Sequence, residues 1–217
     1  MNALTITLKL ATSLDGRIAT ARGESQWITG EAAREQGHRL RAEHDAIMVG
    51  VGTVLADDPR LDCRLPGYSG PQPLRIVMDS ALRTPPGARL LGPGSLILTT
   101  SAGPAHHLDA EVVKVPADPS GRVDAQAVAR HLSGRGLKRL LIEGGGAVAA
   151  SFLRAGLIDR IEWFRAPVVI GEEGLAGIGA LAVSALGDAP RFDRLDVQPL
   201  GPDLWERYER AASKGRA

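Results

Sequence analysis

The chain has 217 residues, 44% of them hydrophobic and 24% charged, an ordinary balance for a globular protein that builds one sizeable core, and one domain is expected over residues 1–217. A net charge of +1 gives no electrostatic support for a nucleic-acid or acidic-membrane partner. Cys63 is the only cysteine, which excludes an intrachain disulfide and a cysteine-rich zinc cluster, and no metal is expected.

In chain order, the first 30 residues contain Lys9, Asp15 and Arg17 and no signal-peptide core. No uncharged apolar run approaches the ~18 residues of a membrane span, so a cytoplasmic protein is the simplest expectation. Leu4, Ile6, Leu8 and Leu10 alternate with Thr5, Thr7 and Lys9, which predicts a strand with Lys9 on its polar face. Ser13 to Gly16 turns the chain, and Thr29 is the expected N-cap of a helix to about Glu43. Arg34, His38 and Arg41 share one face of that helix. Short apolar strands are expected at Ala46–Val49, Arg75–Asp79, Ser95–Thr99 and Val112–Val115, with loops rich in Pro and Gly at 66–73 and 84–94. A helix over Asp124–Leu132 precedes a strand at Lys138–Ile142, a glycine turn and a helix from Ala147 to Gly156. The run Ile161–Ile170, interrupted by Pro167, reads as an edge or bulged strand. Residues 192–198 and 203–209 flank Leu200-Gly201-Pro202-Asp203, a hairpin loop. Alternating strands and helices followed by an antiparallel element predict an α/β sheet, mostly parallel with an antiparallel edge.

The chemistry-bearing patterns each admit a plain reading. Glu143-Gly144-Gly145-Gly146 between a strand and a helix offers free backbone N–H groups to an anion, or is only a tight connection. Gly144, Gly146 and Ala149 satisfy G-x-G-x-x-A, but a dinucleotide fingerprint opens the first βαβ unit, so that fold is not supported, and no Walker motif is present. Arg41, Arg60 and Arg64 around Asp57-Asp58 are either a solvated charged loop or guanidinium forks for a phosphate or carboxylate, with one Asp handling a proton or hydroxyl. Lys9 either snorkels at the sheet's end or is a cation held in a cleft. His106 and His107 read as surface residues, Cys63 as inert, and Trp27 as a loop plug or a stacking platform.

Four stretches, KLATSLDGRIATARGESQWIT (9–29), HRLRAEHDAIMVGVGTVLADDPRL (38–61), RIVMDS (75–80) and IEGGGAVAASFLRAGLIDRIEWFRAPVVIG (142–171), resemble the reductase of bacterial riboflavin biosynthesis, in order and with matching gaps. That reductase usually forms the C-terminal half of a bifunctional deaminase-reductase. The resemblance implies an α/β, dihydrofolate reductase-like three-layer fold, with a mostly parallel mixed sheet and an antiparallel C-terminal hairpin, commonly as a homodimer. It implies NADPH as hydride donor and a phosphorylated ribosylaminopyrimidinone, amino or deaminated, reduced at C1 of the ribose to the ribitylamino form.

By position, the resemblance assigns cofactor contacts to Ala11, Trp27, Thr53, Asp57, Ser80 and the turn Gly145, Gly146, Ala147, Val148, Ala149, Ala150 and Ser151. Arg83, just after Ser80, is a candidate partner for a 2′-phosphate. Ser25, Arg41, Leu61, Arg64 and Glu143 match substrate contacts, and Lys9, Asp57 and Glu143 are the residues expected to carry chemistry. In this division of labour Arg41 and Arg64 clamp a phosphate at one end while Glu143 orients polar groups at the other. Val148 departs from the family, which commonly places Thr there. These 217 residues hold no His/Cys zinc set, so the chain is expected to act before deamination, beside a separate deaminase, or on a different substrate. The rival expectation is a reductase of the same fold acting on a pterin or dihydrofolate.

Overall fold

The computed structural model describes residues 4–212. The alternating N-terminal stretch forms β1 (Thr5–Thr12), with Ile6, Leu8 and Leu10 in one hydrophobic cluster and Thr7, Lys9 and Ala11 on the other face. β2 (Arg17–Ala19) is three residues long. Helix α1 spans Glu31–Glu43, and its N-cap is Gly30 rather than the expected Thr29. The reason is tertiary. The carboxylate of Asp203 accepts the Gly30 amide at 2.6 Å from 173 residues away, so the helix's positive end is capped in space and not by a neighbour in sequence.

β3 (Ala46–Gly50) runs directly into α2 (Val51–Asp57), a two-turn helix that the sequence reading treats as a glycine turn and a charged loop. The remaining elements are β4 (Leu74–Met78), β5 (Ser95–Thr99), β6 (Glu111–Lys114), α3 (Ala125–Gly134), β7 (Arg139–Ile142) and α4 (Gly146–Arg154). β8 (Arg160–Arg165), β9 (Leu175–Ala176), β10 (Phe192–Leu200) and β11 (Asp203–Arg210) complete the order. Asp124 caps α3 through the amides of Gln126 and Ala127, as Asp at such a position does.

The main sheet has the order β10-β11-β8-β1-β7-β3-β4-β5-β6. Pairings from β8 through β6 are parallel, and β10 and β11 are antiparallel, matching the expected architecture. The expected edge strand at 161–170 is a correction: β8 lies inside the sheet between β11 and β1, and it ends at Arg165. Pro167, with no N–H to give a ladder, therefore falls beyond the strand and breaks nothing.

Strict alternation divides the core. Met48, Ile76, Leu96 and Ile142 pack with α3 and α4, while Ile47, Val77, Ile97 and Leu141 pack with α1 and α2 on the opposite face. The result is three layers, helices on both sides of a twisted sheet. Phe164 and Trp205 stack at 5.9 Å with planes 3° apart on the α1 side, a contact of ~0.5–1.5 kcal/mol beyond its burial. β7 is inserted between β1 and β3, so the chain runs outward through β3 to β6 in one direction and through β8 in the other. A crevice at the carboxyl ends of strands where the order reverses is the standard place for a ligand in such sheets.

Candidate active site

Two glycine turns meet at that reversal. β3 and β7 are paired through Met48↔Ile142 and each delivers a helix at its end. Gly145, the N-cap of α4, has φ +87°, a region that a side chain would disfavour. A Cβ on Gly50 would stand 2.8 Å from Cγ2 of Val148, so the two turns touch only because glycine is there. Val148 itself is buried, which accounts for an apolar residue where the family commonly has Thr. Across the turn lies the strap 174–180. Gly179 donates its amide to the Gly146 carbonyl at 2.9 Å, and a Cβ on Gly146 would come within 2.6 Å of the Ala176 oxygen.

Beside these turns opens a cleft of about 890 Å³. Thr53, Asp57, Ser80, Arg83, the four residues Gly145–Val148, Ala150 and Ser151 line it, together with Ser25. Ala11, Trp27 and Ala149 do not line it. Ala149 is buried in the core, Ala11 packs under α1, and Trp27 is 68% exposed with the Arg34 guanidinium 4.6 Å from its ring. The α4 N-terminus has no side-chain cap, so its first amides remain available to an anion. A large cleft, a glycine-lined helix start and short hydroxyls fit a dinucleotide and its pyrophosphate. Among the described residues no group of three or more His, Cys, Asp or Glu side chains is placed to hold a metal ion, and no helix is long and apolar enough to cross a membrane.

Around the end of β7, on the α1 face, a second group of residues converges. Continuing the pairing Leu8↔Ile142 by one residue sets Lys9 beside Glu143. Glu143 accepts two hydrogen bonds from Arg41, Nε to Oε1 and Nη2 to Oε2, both at 2.7 Å, with side-chain exposures of 6% and 16%. This is a nearly dry, bidentate pair. Burial on its own would raise the Glu143 carboxyl, but the charge and hydrogen bonds of Arg41, helped by Lys9, hold it below its ordinary value. Lys9 lies with Nζ 5.6 Å from the Phe164 ring centroid and has no ion-pair partner among the described residues. Burial lowers its pKa; Glu143 acts against that and Arg41 with it.

Arg41 also donates to the Asp62 carbonyl at 2.9 Å, so its fork is occupied on both sides. The expected division of labour, with Arg41 and Glu143 at opposite ends of a ligand, is not the arrangement found, since they bind each other. Arg60 and Arg64 both pair with the Asp62 carboxylate, at 3.0 and 2.6 Å, and each is about half exposed. Nδ1 of His38 accepts the Arg64 amide at 3.2 Å. The imidazole pKa is lowered by burial and by the charges of Arg41 and Arg64. Leu61 is buried with φ +54° at the bend that leads to these residues. Ser25 donates to Asp57 Oδ1 at 3.2 Å, joining two of the expected contacts at the cleft rim.

A sequence profile described as the RibD C-terminal domain matches residues 4–205 of this chain. The chain belongs to that family. Within it, the chain is 38% identical over 212 residues to the 2,5-diamino-6-ribosylamino-4(3H)-pyrimidinone 5′-phosphate reductase of Methanothermobacter thermautotrophicus, covering 94% of this chain and 96% of the relative. It is 36% identical to the riboflavin biosynthesis protein RibD of Bacillus amyloliquefaciens over 92% of this chain and 55% of that one. The chain thus spans about half the length of the RibD proteins it matches. The structure of Acinetobacter baumannii RibD superposes with a TM-score of 0.84 at 28% identity, covering 97% of this chain and 59% of that one. A dihydrofolate reductase from Enterococcus faecalis, at 13% identity and a TM-score of 0.55 over 96% of this chain and 97% of that one, shares the fold.

Sequence reasoning missed several residues that the fold places around this candidate site. Asp62, which organises three arginines, lies in a stretch without periodicity. The strap 174–180 was not singled out; its signal is Gly174, Gly177 and Gly179, small enough to lie on another backbone. Arg122 carried no signal at all.

Proposed function

We propose that this chain is an NADPH-dependent reductase of riboflavin biosynthesis, converting a 6-ribosylaminopyrimidinone 5′-phosphate, in its diamino or deaminated form, to the ribitylamino product. The observation that carries this reading is the juxtaposition of a glycine-walled cleft with the Lys9–Glu143–Arg41 group in a chain of the RibD C-terminal domain family. Thr53, Ser80 and the backbone of Gly145 to Ser151 would hold the dinucleotide along the cleft, with Arg83 near its ribose. When bound, the nicotinamide supplies a hydride.

The protein's own contribution is position and charge. Lys9, desolvated against Phe164, gives a proton to the substrate nitrogen as the opened C=N bond at C1 is reduced, so carbon gains the hydride and nitrogen the proton. Glu143, held ionised and oriented by Arg41, fixes the polar edge of the pyrimidinone and favours the charged form of Lys9 against the effect of burial. Asp57 with Ser25 places the opened sugar, and Arg64 is the cation left to meet the 5′-phosphate. Leu61 would pack beside it. In this reading the protein works as a cytoplasmic homodimer beside a separate deaminase.

Purified protein is assayed for NADPH oxidation with the diamino pyrimidine, the deaminated pyrimidine and dihydrofolate. Turnover of either pyrimidine is expected, and the preferred form places the step before or after deamination. Turnover of dihydrofolate alone overturns the phosphosugar reading.

A further inference from the structure

One end of the cleft is built from two separate turns, each presenting an arginine. The first follows β4. Buried Asp79 accepts the amide and the hydroxyl of Thr84, both at 2.7 Å, which fixes the loop carrying Arg83. The second is the turn before α3, where one oxygen of Asp118 accepts from the Ser120 amide, the Ser120 hydroxyl and the Arg122 amide at 2.8, 2.6 and 3.1 Å. The two turns are tied together twice. The Val123 amide donates to the Ser80 hydroxyl at 3.0 Å, and the Thr100 hydroxyl reaches the carbonyls of Ser80 and Gly121 at 3.0 and 3.4 Å.

Arg83, Arg122 and Ser80 all line the cleft. Among the described residues neither guanidinium has a carboxylate within ion-pairing distance. This sets them apart from Arg41, Arg60 and Arg64, each of which has a carboxylate within ion-pairing distance. Ser80 accepts from Val123, which leaves its own hydrogen free to donate. Asp118 also lines this end and stays ionised, held by its hydrogen bonds to Ser120 and Arg122, so the local balance is two cations against one anion. Two guanidiniums carried on fixed turns and a hydroxyl donor are the donor set of a phosphomonoester.

We infer that Arg122, together with Arg83 and Ser80, forms the subsite that reads the 2′-phosphate of the dinucleotide and so sets the choice of NADPH over NADH. This rests on the NADPH reading above and adds to it a residue from a different turn. Binding is measured by calorimetry on the wild type, Arg122→Ala and Arg83→Ala, with NADPH, NADH, 2′,5′-ADP and 5′-AMP as titrants. Each substitution is expected to weaken NADPH and 2′,5′-ADP by roughly ten- to a hundred-fold and to leave NADH and 5′-AMP unchanged. Both arginines are exposed, so the loss shrinks as salt is raised.

If the wild type prefers NADPH but Arg122→Ala keeps its affinity for 2′,5′-ADP, the subsite lies elsewhere and the NADPH reading stands. Equal weakening of NADPH and NADH overturns the inference as well, because Arg122 then acts on a part common to both. A wild type that binds NADH as tightly as NADPH sinks the NADPH reading itself and the subsite with it.

Discussion

On the α1 face of the sheet Lys9, Arg41 and Glu143 are charged side chains sealed against Phe164 and a helix, whereas along the strand ends the cleft is walled by glycine backbone, small residues and exposed arginines. In the first region Arg41 and Glu143 pair with each other and Lys9 stands beside them. Its geometry is set before any ligand arrives, as electrostatic catalysis requires. The second leaves its donors open, and its shape depends on side chains that are missing, at Gly50, Gly145 and Gly146. In the proposed function chemistry falls to the first region and cofactor recognition to the second, and substitutions should divide along the same line.

The largest effect is expected at the sealed pair. Glu143→Leu leaves Arg41 buried without a partner and should lower stability by ~3–5 kcal/mol in denaturant unfolding while abolishing turnover. The double variant Arg41→Met/Glu143→Leu should recover most of that stability and none of the activity. Recovery of both would mean that the pair is only a structural staple.

Lys9→Met is expected to lower kcat by ~10²–10⁴-fold, the range of a lost general acid, with nucleotide affinity nearly unchanged. Its stability should rise, since burial disfavours the charged ammonium. The pH dependence has a defined sign. With the folded pKa lowered beneath the ordinary 10.5, the unfolded chain binds more protons between the two values. The wild type should therefore gain stability relative to Lys9→Met as pH rises through that window. Turnover should fall over the same window as Lys9 loses its proton. A rate that stays flat until pH 10.5 removes Lys9 as the acid.

On the cleft side, Gly146→Ala drives a methyl into the Ala176 carbonyl. A cost of ~1–3 kcal/mol is expected, seen as a lower Tm and a weakened dinucleotide Kd together. An unchanged Kd would show that the strap does not shape the site. The smallest effect is expected at the surface. Arg64→Ala should raise KM for the phosphorylated substrate ~10-fold, with stability within ~0.5 kcal/mol because its ion pair with Asp62 is exposed. An unchanged KM would assign the phosphate to another group.

The same line separates what the sequence disclosed from what it withheld. The strand face bearing Lys9 and the glycine turn after Glu143 were legible because period-two alternation and consecutive glycines are local signals. Arg41 and Glu143 were each singled out, but not as partners, because a contact between residues 102 apart leaves no trace in a single chain. Helix α2 was hidden by Gly50 and Gly52, whose low helix propensity is overridden by the packing of Val51 and Val54 under the sheet. Arg122 was invisible because its turn is ordinary; contacts from Ser80 and Thr100, far away in sequence, bring it to the cleft.

Asp203 stands at the start of the last strand, yet it caps the helix that carries Arg41, and Trp205 beside it stacks on the ring beneath Lys9. During synthesis the residues of the chemical group are made early, but the parts that hold them still come last. A nascent chain stopped before Asp203 would carry Lys9, Arg41 and Glu143 with the positive end of α1 uncapped and one wall of the lysine pocket missing. The surroundings of Lys9 thus depend on the C-terminal hairpin as much as on the strand that carries it, and removing that hairpin is expected to loosen the lysine even where β1 itself still forms.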